Sequence, residues 1–290
     1  MRQLLVVIAA ALLPGTSVLA QQPAALVCPP GGYAPPMYGV FGQNGGGGQV
    51  SYEIASPCIP KEVRDAAEAI GMGRTKPLGV KNVITIMFSA EGTLADSGAP
   101  GDMAKLSRAD FHINYVVPAM RMFLNGTHPD GKSLAEIRVF ADTWAWNEAK
   151  EGAGPTPAMA TLAERAPLIK LTPFGALWSV IEAEGHARIE TNAGKIKLTG
   201  TSPYDGMEVT TTLDKEQRPE SVTVKANGHV YGATFADYRD NWEPAYLVIF
   251  PSEIHWTRDN RPLADLRVTA FKSNPYVVFP VPEAVKQKSN

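Results

Sequence analysis

Residues 82–92, NVITIMFSAEG, place Val83, Thr85 and Met87 on one side of a two-residue period and Ile84, Ile86 and Phe88 on the other. A strand apolar on both sides is covered on both. DFHINYVVPAMRMF (110–123) alternates in the same way and carries Pro118, which fits an edge position or a bulge. SLAEIRVFADTWAWNE (133–148) is a third alternating segment. Ahead of them, KEVRDAAEAIG (61–71) puts Val63, Ala66, Ala67 and Ile70 on one helical face, with Gly71 as its stop. The period changes again in the middle. Thr156-Pro157 reads as a helix start, with PAMATLAERAPLIK a helix interrupted by Pro167. Thr172-Pro173 starts another, whose apolar stripe is Phe174, Leu177, Trp178 and Ile181 before Gly185.

After Gly185 the pattern is all strand and turn. RIETNAGKIKLTG turns at Asn192-Ala193-Gly194, and ESVTVKANG ends in Asn227-Gly228, a strong two-residue turn. AYLVIFPSEIHWT and LADLRVTAFK are joined by Arg258–Pro262. Ile254 and Trp256 share one face, opposed by Glu253, His255 and Thr257; across the turn, Leu266, Val268 and Ala270 oppose Arg267, Thr269 and Phe271. The sum is about nine or ten strands with helices grouped before the later ones. That is an α+β fold, an open, curved, mostly antiparallel sheet with helices against one face.

The first twenty residues stand outside this pattern. Arg2, the apolar run Leu4–Leu13 and Val18-Leu19-Ala20 before Gln21 form a secretory leader, which places the mature chain in the periplasm or outside the cell. The run is broken by Pro14 and Gly15, and no later segment reaches membrane-spanning length, so no integral membrane segment is expected. Residues 21–57 are a flexible Gly/Pro-rich arm, 58–284 a single domain and 285–290 a disordered tail. The two cysteines, Cys28 and Cys58, pair most simply as one disulfide in an oxidising compartment. A formal charge of −2 and the absence of any basic stripe argue against nucleic acid as a partner.

Catalytic spacing is missing. The five histidines are scattered, with no HxH or HExxH, and no GxSxG, Rossmann fingerprint or CxxCH occurs. No catalytic residue, metal ligand or cofactor is assigned. Trp144 and Trp146, two apart in DTWAWNE, share a strand face, as core or as a ligand wall.

TWAWNEA (143–149), PAMATLAERAPLIKLTPFGAL (157–177), FADYRDN (235–241), FPSEIHWTRDNRP (250–262) and LRVTAFKSNP (266–275) together resemble landmarks of bacterial exported proteins similar to the LolA/RseB-like periplasmic lipoprotein-carrier superfamily. The resemblance spans roughly residues 60–282. It implies a half-open barrel whose concave side is plugged by helices, with an apolar cavity between them. It also makes Trp144, Trp146, Phe174, Leu177, Trp178, Ile254 and Trp256 candidate ligand-lining residues. The partner implied is a hydrophobic small molecule or a lipidated protein. Some similar proteins carry a fused metallo-hydrolase, but its HxHxDH motif does not occur here.

The leading expectation is therefore an exported, non-enzymatic protein that shelters a lipid or acyl ligand between sheet and helices. The alternatives are an envelope structural or regulatory module that binds protein through a sheet edge or the arm, and an enzyme whose site is assembled from distant residues such as Asp110, His112 and His255.

Overall fold

The computed structural model describes residues 59–72, 83–95, 102–183, 186–243 and 246–287. The leader, the arm and both cysteines, Cys28 and Cys58, lie outside them.

A helix, α1 (Lys61–Ala69), comes first, with Val63, Ala66 and Ala67 buried as the pattern predicts. It ends at Gly71, whose φ of 79° and close approach to the Leu247 carbonyl exclude a side chain. Six strands follow: β1 (Thr85–Ala95), β2 (Met103–Asn114), β3 (Ala119–Thr127), β4 (Ser133–Ala141), β5 (Trp144–Lys150) and β6 (Ala153–Pro157). Then come a 3-10 turn (Met159–Thr161), α2 (Leu162–Arg165), a 3-10 segment (Ala166–Leu171) and α3 (Pro173–Glu182). The last seven strands are β7 (Arg188–Asn192), β8 (Lys195–Thr201), β9 (Glu208–Leu213), β10 (Pro219–Ala226), β11 (His229–Glu243), β12 (Tyr246–Arg258) and β13 (Arg261–Ser273).

All thirteen strands form one antiparallel sheet in the order β6-β5-β4-β3-β2-β1-β13-β12-β11-β10-β9-β8-β7. Each meander adds strands outward from the central β1–β13 pair, so β6 and β7, joined through the helices, end at opposite edges. This corrects the half-open barrel with a concave, helix-plugged side. The sheet is open, neither closed nor strongly curled; α1 to α3 lie on one face of it and a short C-terminal helix on the other.

Three hairpins close on two-residue turns with both central residues at positive φ: Ala193-Gly194, Asn227-Gly228 and Asp259-Asn260. That geometry matches the twist of the flanking strands. Elsewhere local signals mislead. Pro118 is neither at an edge nor in a bulge: Asn114 Oδ1 accepts from the Val116 and Val117 amides, each at 3.0 Å, and turns the chain between β2 and β3. Residues 133–148 are a hairpin, reversed at Asp142 with φ 54°. Thr156-Pro157 closes strand β6 at the sheet edge, where proline forfeits no ladder bond.

A continuous core fills the helical face. Phe88 and Phe111 stack at 4.4 Å, Phe250 and Phe271 at 4.4 Å, and Phe174 of α3 lies over Phe250 at 6.0 Å. Phe271 reaches this face against expectation. A register shift between Ser89 and Ala90 of the β1–β13 pair sets Phe271 opposite Phe88 and leaves Ala270 exposed.

The opposite face carries a second apolar patch over β3–β5. There Ala119, Val139, Ala141 and Trp146 form a second apolar cluster with Trp144, Phe279, Val281 and Val285. The C-terminal segment covers it. Asn274 Oδ1 accepts the Ile84 amide at 2.9 Å, the Thr85 hydroxyl donates to the Pro275 carbonyl at 2.8 Å, and α4 (Glu283–Lys286) buries Val285. The described fold thus runs past residue 284. Beneath the segment, the buried Arg121 and Glu148 side chains pair at 3.1 Å, and Trp146 Nε1 donates to Glu148 Oε1 at 2.9 Å.

Candidate functional site

The layer over the sheet is made of short pieces. Thr172 accepts the Gly175 amide at 3.1 Å as the N-cap of α3, and Pro173 takes the first turn, as the sequence predicts. Every residue from Pro173 to Ile181 is buried, so α3 is apolar all round and is covered on every side. It packs on β8, β9 and β10 and against α1. Two glycines let it sit this close. A Cβ on Gly175 would stand 2.0 Å from the Ile169 carbonyl oxygen, and one on Gly200 would stand 2.8 Å from Val180 Cα.

Polar anchors tie the layer down. Trp256 Nε1 donates to the Leu171 carbonyl at 2.8 Å, and Trp178 Nε1 donates to the Val83 carbonyl at 2.8 Å. The hydroxyls of Tyr115 and Thr172 are 2.8 Å apart, and burial pushes the Tyr115 phenol far above its usual pKa. Buried Arg165 donates to the Val139 carbonyl (3.0 Å), the Trp146 carbonyl (2.8 Å) and Asn147 Oδ1 (2.6 Å).

The sheet and its cover bring five of the seven proposed lining residues into one core: Phe174, Leu177, Trp178, Ile254 and Trp256. The other two, Trp144 and Trp146, belong to the cluster on the opposite face, because Ala145 between them is the residue of β5 that faces the helices. Beside α3 lies a cleft with about 20 Å³ of free space, enough for one water-sized group.

This cleft opens between the turn after β2, the 3-10 segment, α3 and the loop after β8. Tyr115, Pro118, Ile169, Trp178 and Tyr204 supply its apolar and aromatic wall; Lys170, Ser179, Glu182, Ser202 and Asp205 supply its polar side. Lys170, buried, pairs with Asp205 at 3.0 Å and donates to Ser179 Oγ at 3.2 Å. The Ser179 hydroxyl itself donates to the Gly175 carbonyl at 2.9 Å, so it is fixed as a structural link. Glu182 accepts from Ser202 at 3.4 Å. Burial pushes its carboxyl up to about 7, with Lys170 pulling it down and Asp205 pushing it up. Sequence reasoning missed this cluster. One signal was present: Lys170 is the only charged residue between 166 and 181.

The residues considered for an assembled enzyme site are not brought together. Asp110 accepts from Ser89 Oγ at 2.5 Å and pairs with Arg108 at 2.8 Å. His112 sits beside the Phe123 ring at 4.9 Å, and burial lowers its pKa. His255 pairs with Asp265 at 3.1 Å on β12. β1 and β13 stand between β2 and β12, a separation of about 14 Å at ordinary strand spacing. Among the described residues no group of three or more His, Cys, Asp or Glu is placed to hold a metal, and no helix is long and apolar enough to cross a membrane.

No family model and no curated protein matches the chain. Solved structures do. A LolA superfamily protein from Nitrosomonas europaea aligns at 11% identity over 77% of this chain and 94% of its own, with a TM-score of 0.40. The lipoprotein LppX of Mycobacterium tuberculosis aligns at 12% identity, 77% and 98% coverage and a TM-score of 0.26. LprF from Mycobacterium bovis aligns at 10% identity, 76% and 95% coverage and a TM-score of 0.31.

Proposed function

We propose that this protein is an exported, non-enzymatic binding protein that shelters a lipid or acyl chain between its sheet and its helical layer. The guest enters by lifting the layer from the sheet, since the cleft beside α3 has room only for a water-sized group. One observation carries this reading: a continuous aromatic and aliphatic floor lies under a cover of short helical pieces. Short helical pieces have little stability of their own and depend on tertiary packing. An alkyl chain returns roughly 0.8 kcal/mol per buried methylene, so a dozen methylenes offset much of the packing energy given up when the cover lifts. Ile254 and Trp256 then serve as floor, and Phe174, Leu177 and Trp178 as lid. Trp144 and Trp146 support the opposite face and are outside this site.

Native mass spectrometry of protein purified from its exported fraction, followed by organic extraction, tests the reading. The expected result is a bound lipid or fatty acid, or uptake of a fatty-acid or phospholipid probe by the empty protein. Empty protein with no affinity for either probe would overturn it.

A second reading, an envelope protein-interaction module, is favoured by Tyr276 and Val278, which are 81% and 50% exposed on the C-terminal segment. A pull-down comparing the native chain with Tyr276→Ser/Val278→Ser separates the two. A module loses its partner, whereas a lipid binder keeps its cargo.

A further inference from the structure

We infer that the cleft beside α3 is a headgroup site for a primary ammonium, so that the ligand of the proposed carrier is an amphiphile with a cationic amine end. The inference rests on that reading of the helical layer for the ligand's tail and on the cleft itself for its head.

Charge comes first. Three charged side chains line the cleft: Lys170, Asp205 and Glu182. Lys170 and Asp205 neutralise each other at 3.0 Å. Among the described residues Glu182 accepts one long hydrogen bond, from Ser202, and feels Lys170 through space. An ionised Glu182 therefore gives the cleft one excess negative charge, held away from bulk water where it attracts a cation strongly. Burial raises the carboxyl to about 7 despite the nearby Lys170, so desolvation outweighs the counter-charge that Lys170 supplies. No charged side chain of α1 or of β8–β10, the other elements packed on α3, contributes to that shift.

Shape comes second. The free space matches a water molecule, which is the size of an NH3 group and too small for a trimethylammonium or a phosphate. Its lining includes Trp178 and Tyr204, and Tyr204 has 60% of its surface exposed. Aromatic walls beside a carboxylate favour an ammonium over an anion. The cleft also adjoins the apolar layer through Ile169 and Trp178, so a tail attached to a head bound there leads under the helices.

Binding of dodecylammonium, dodecyltrimethylammonium, dodecanoate and ethylammonium to the full chain at pH 8, by calorimetry below micelle concentrations, tests the assignment. The expected order places dodecylammonium first, by roughly tenfold or more over dodecanoate, the scale of one charge-assisted hydrogen bond. Glu182→Gln removes that preference, Tyr204→Leu weakens dodecylammonium roughly two- to fivefold, and the native preference grows from pH 6 to pH 8 as Glu182 loses its proton. Dodecanoate binding as tightly as dodecylammonium, or an unchanged preference in Glu182→Gln, overturns the headgroup site and leaves the carrier standing. Ethylammonium binding that depends on Glu182, with no gain from a longer chain, keeps the headgroup site and overturns the carrier. Failure of every probe overturns both.

Discussion

Two pairs of tryptophans divide the molecule. Trp178 and Trp256 lie under and within the helical layer, and each spends its indole N–H on a backbone carbonyl across the interface, Val83 and Leu171. Trp144 and Trp146 lie on the opposite face; Trp146 gives its N–H to Glu148, which also holds Arg121. The first pair fastens two layers that meet over an apolar floor. The second is fixed within neighbouring strands of one sheet and roofed by a single extended segment. Trp146 and Trp256 are both fully buried, yet they serve unlike ends. On the proposed reading one interface parts along a plane, whereas the other is part of the sheet's own framework.

Trp146→Ala strikes this contrast hardest. It should cost about 3–5 kcal/mol in urea unfolding, as for other large buried aromatics, yet leave alkyl-chain affinity in the folded fraction unchanged. A matching loss of affinity would mean that the two faces are one site.

Glu182→Gln acts on the other side of the contrast. The folded carboxyl titrates near 7 against an ordinary value of 4.5. The folded state therefore holds the proton more tightly, and the native protein loses stability as pH rises from 4.5 through 7. The full penalty, about 3 kcal/mol at 1.36 kcal/mol per unit, applies above that window. The glutamine does not titrate, so its urea midpoint should exceed the native one at pH 8 and approach it at pH 4.5.

Trp256→Phe keeps the ring but orphans the Leu171 carbonyl, a cost of about 1–3 kcal/mol. Amide exchange should speed up within 166–171 more than in β12 itself. Thr172→Val removes the N-cap of α3 for about 1 kcal/mol, read as a small drop in midpoint with faster exchange at Gly175 and Ala176.

Local chemistry makes much of this architecture legible. Thr172-Pro173 marks α3, Asn227-Gly228 marks a hairpin, and the spacing of Trp144 and Trp146 puts both rings on one face. Each is decided within a few residues. What escapes depends on partners far along the chain. Periodicity cannot tell which face of β5 meets the helices, so nothing in the pattern corrects the family resemblance where it groups these four tryptophans together. Simple alternation through β13 ignores a bulge that only its pairing with β1 creates, which hides Phe271 from the expected core. Thr156-Pro157 suits a helix start as well as an edge strand, and only the strand order decides. Lys170 meets Asp205 from 35 positions away, so the lone charge in an apolar run is visible but its partner is not.

Ligand entry requires the helical layer to open independently of the sheet. Native-state amide exchange of residues 166–182, followed with and without dodecylammonium, measures that directly. Those amides should exchange through an opening of lower free energy than β1, β2 and β13, and the bound amphiphile should shift their rates while leaving the central strands unchanged. Exchange of the layer only through global unfolding, at the same free energy as the central strands and indifferent to the amphiphile, would contradict it.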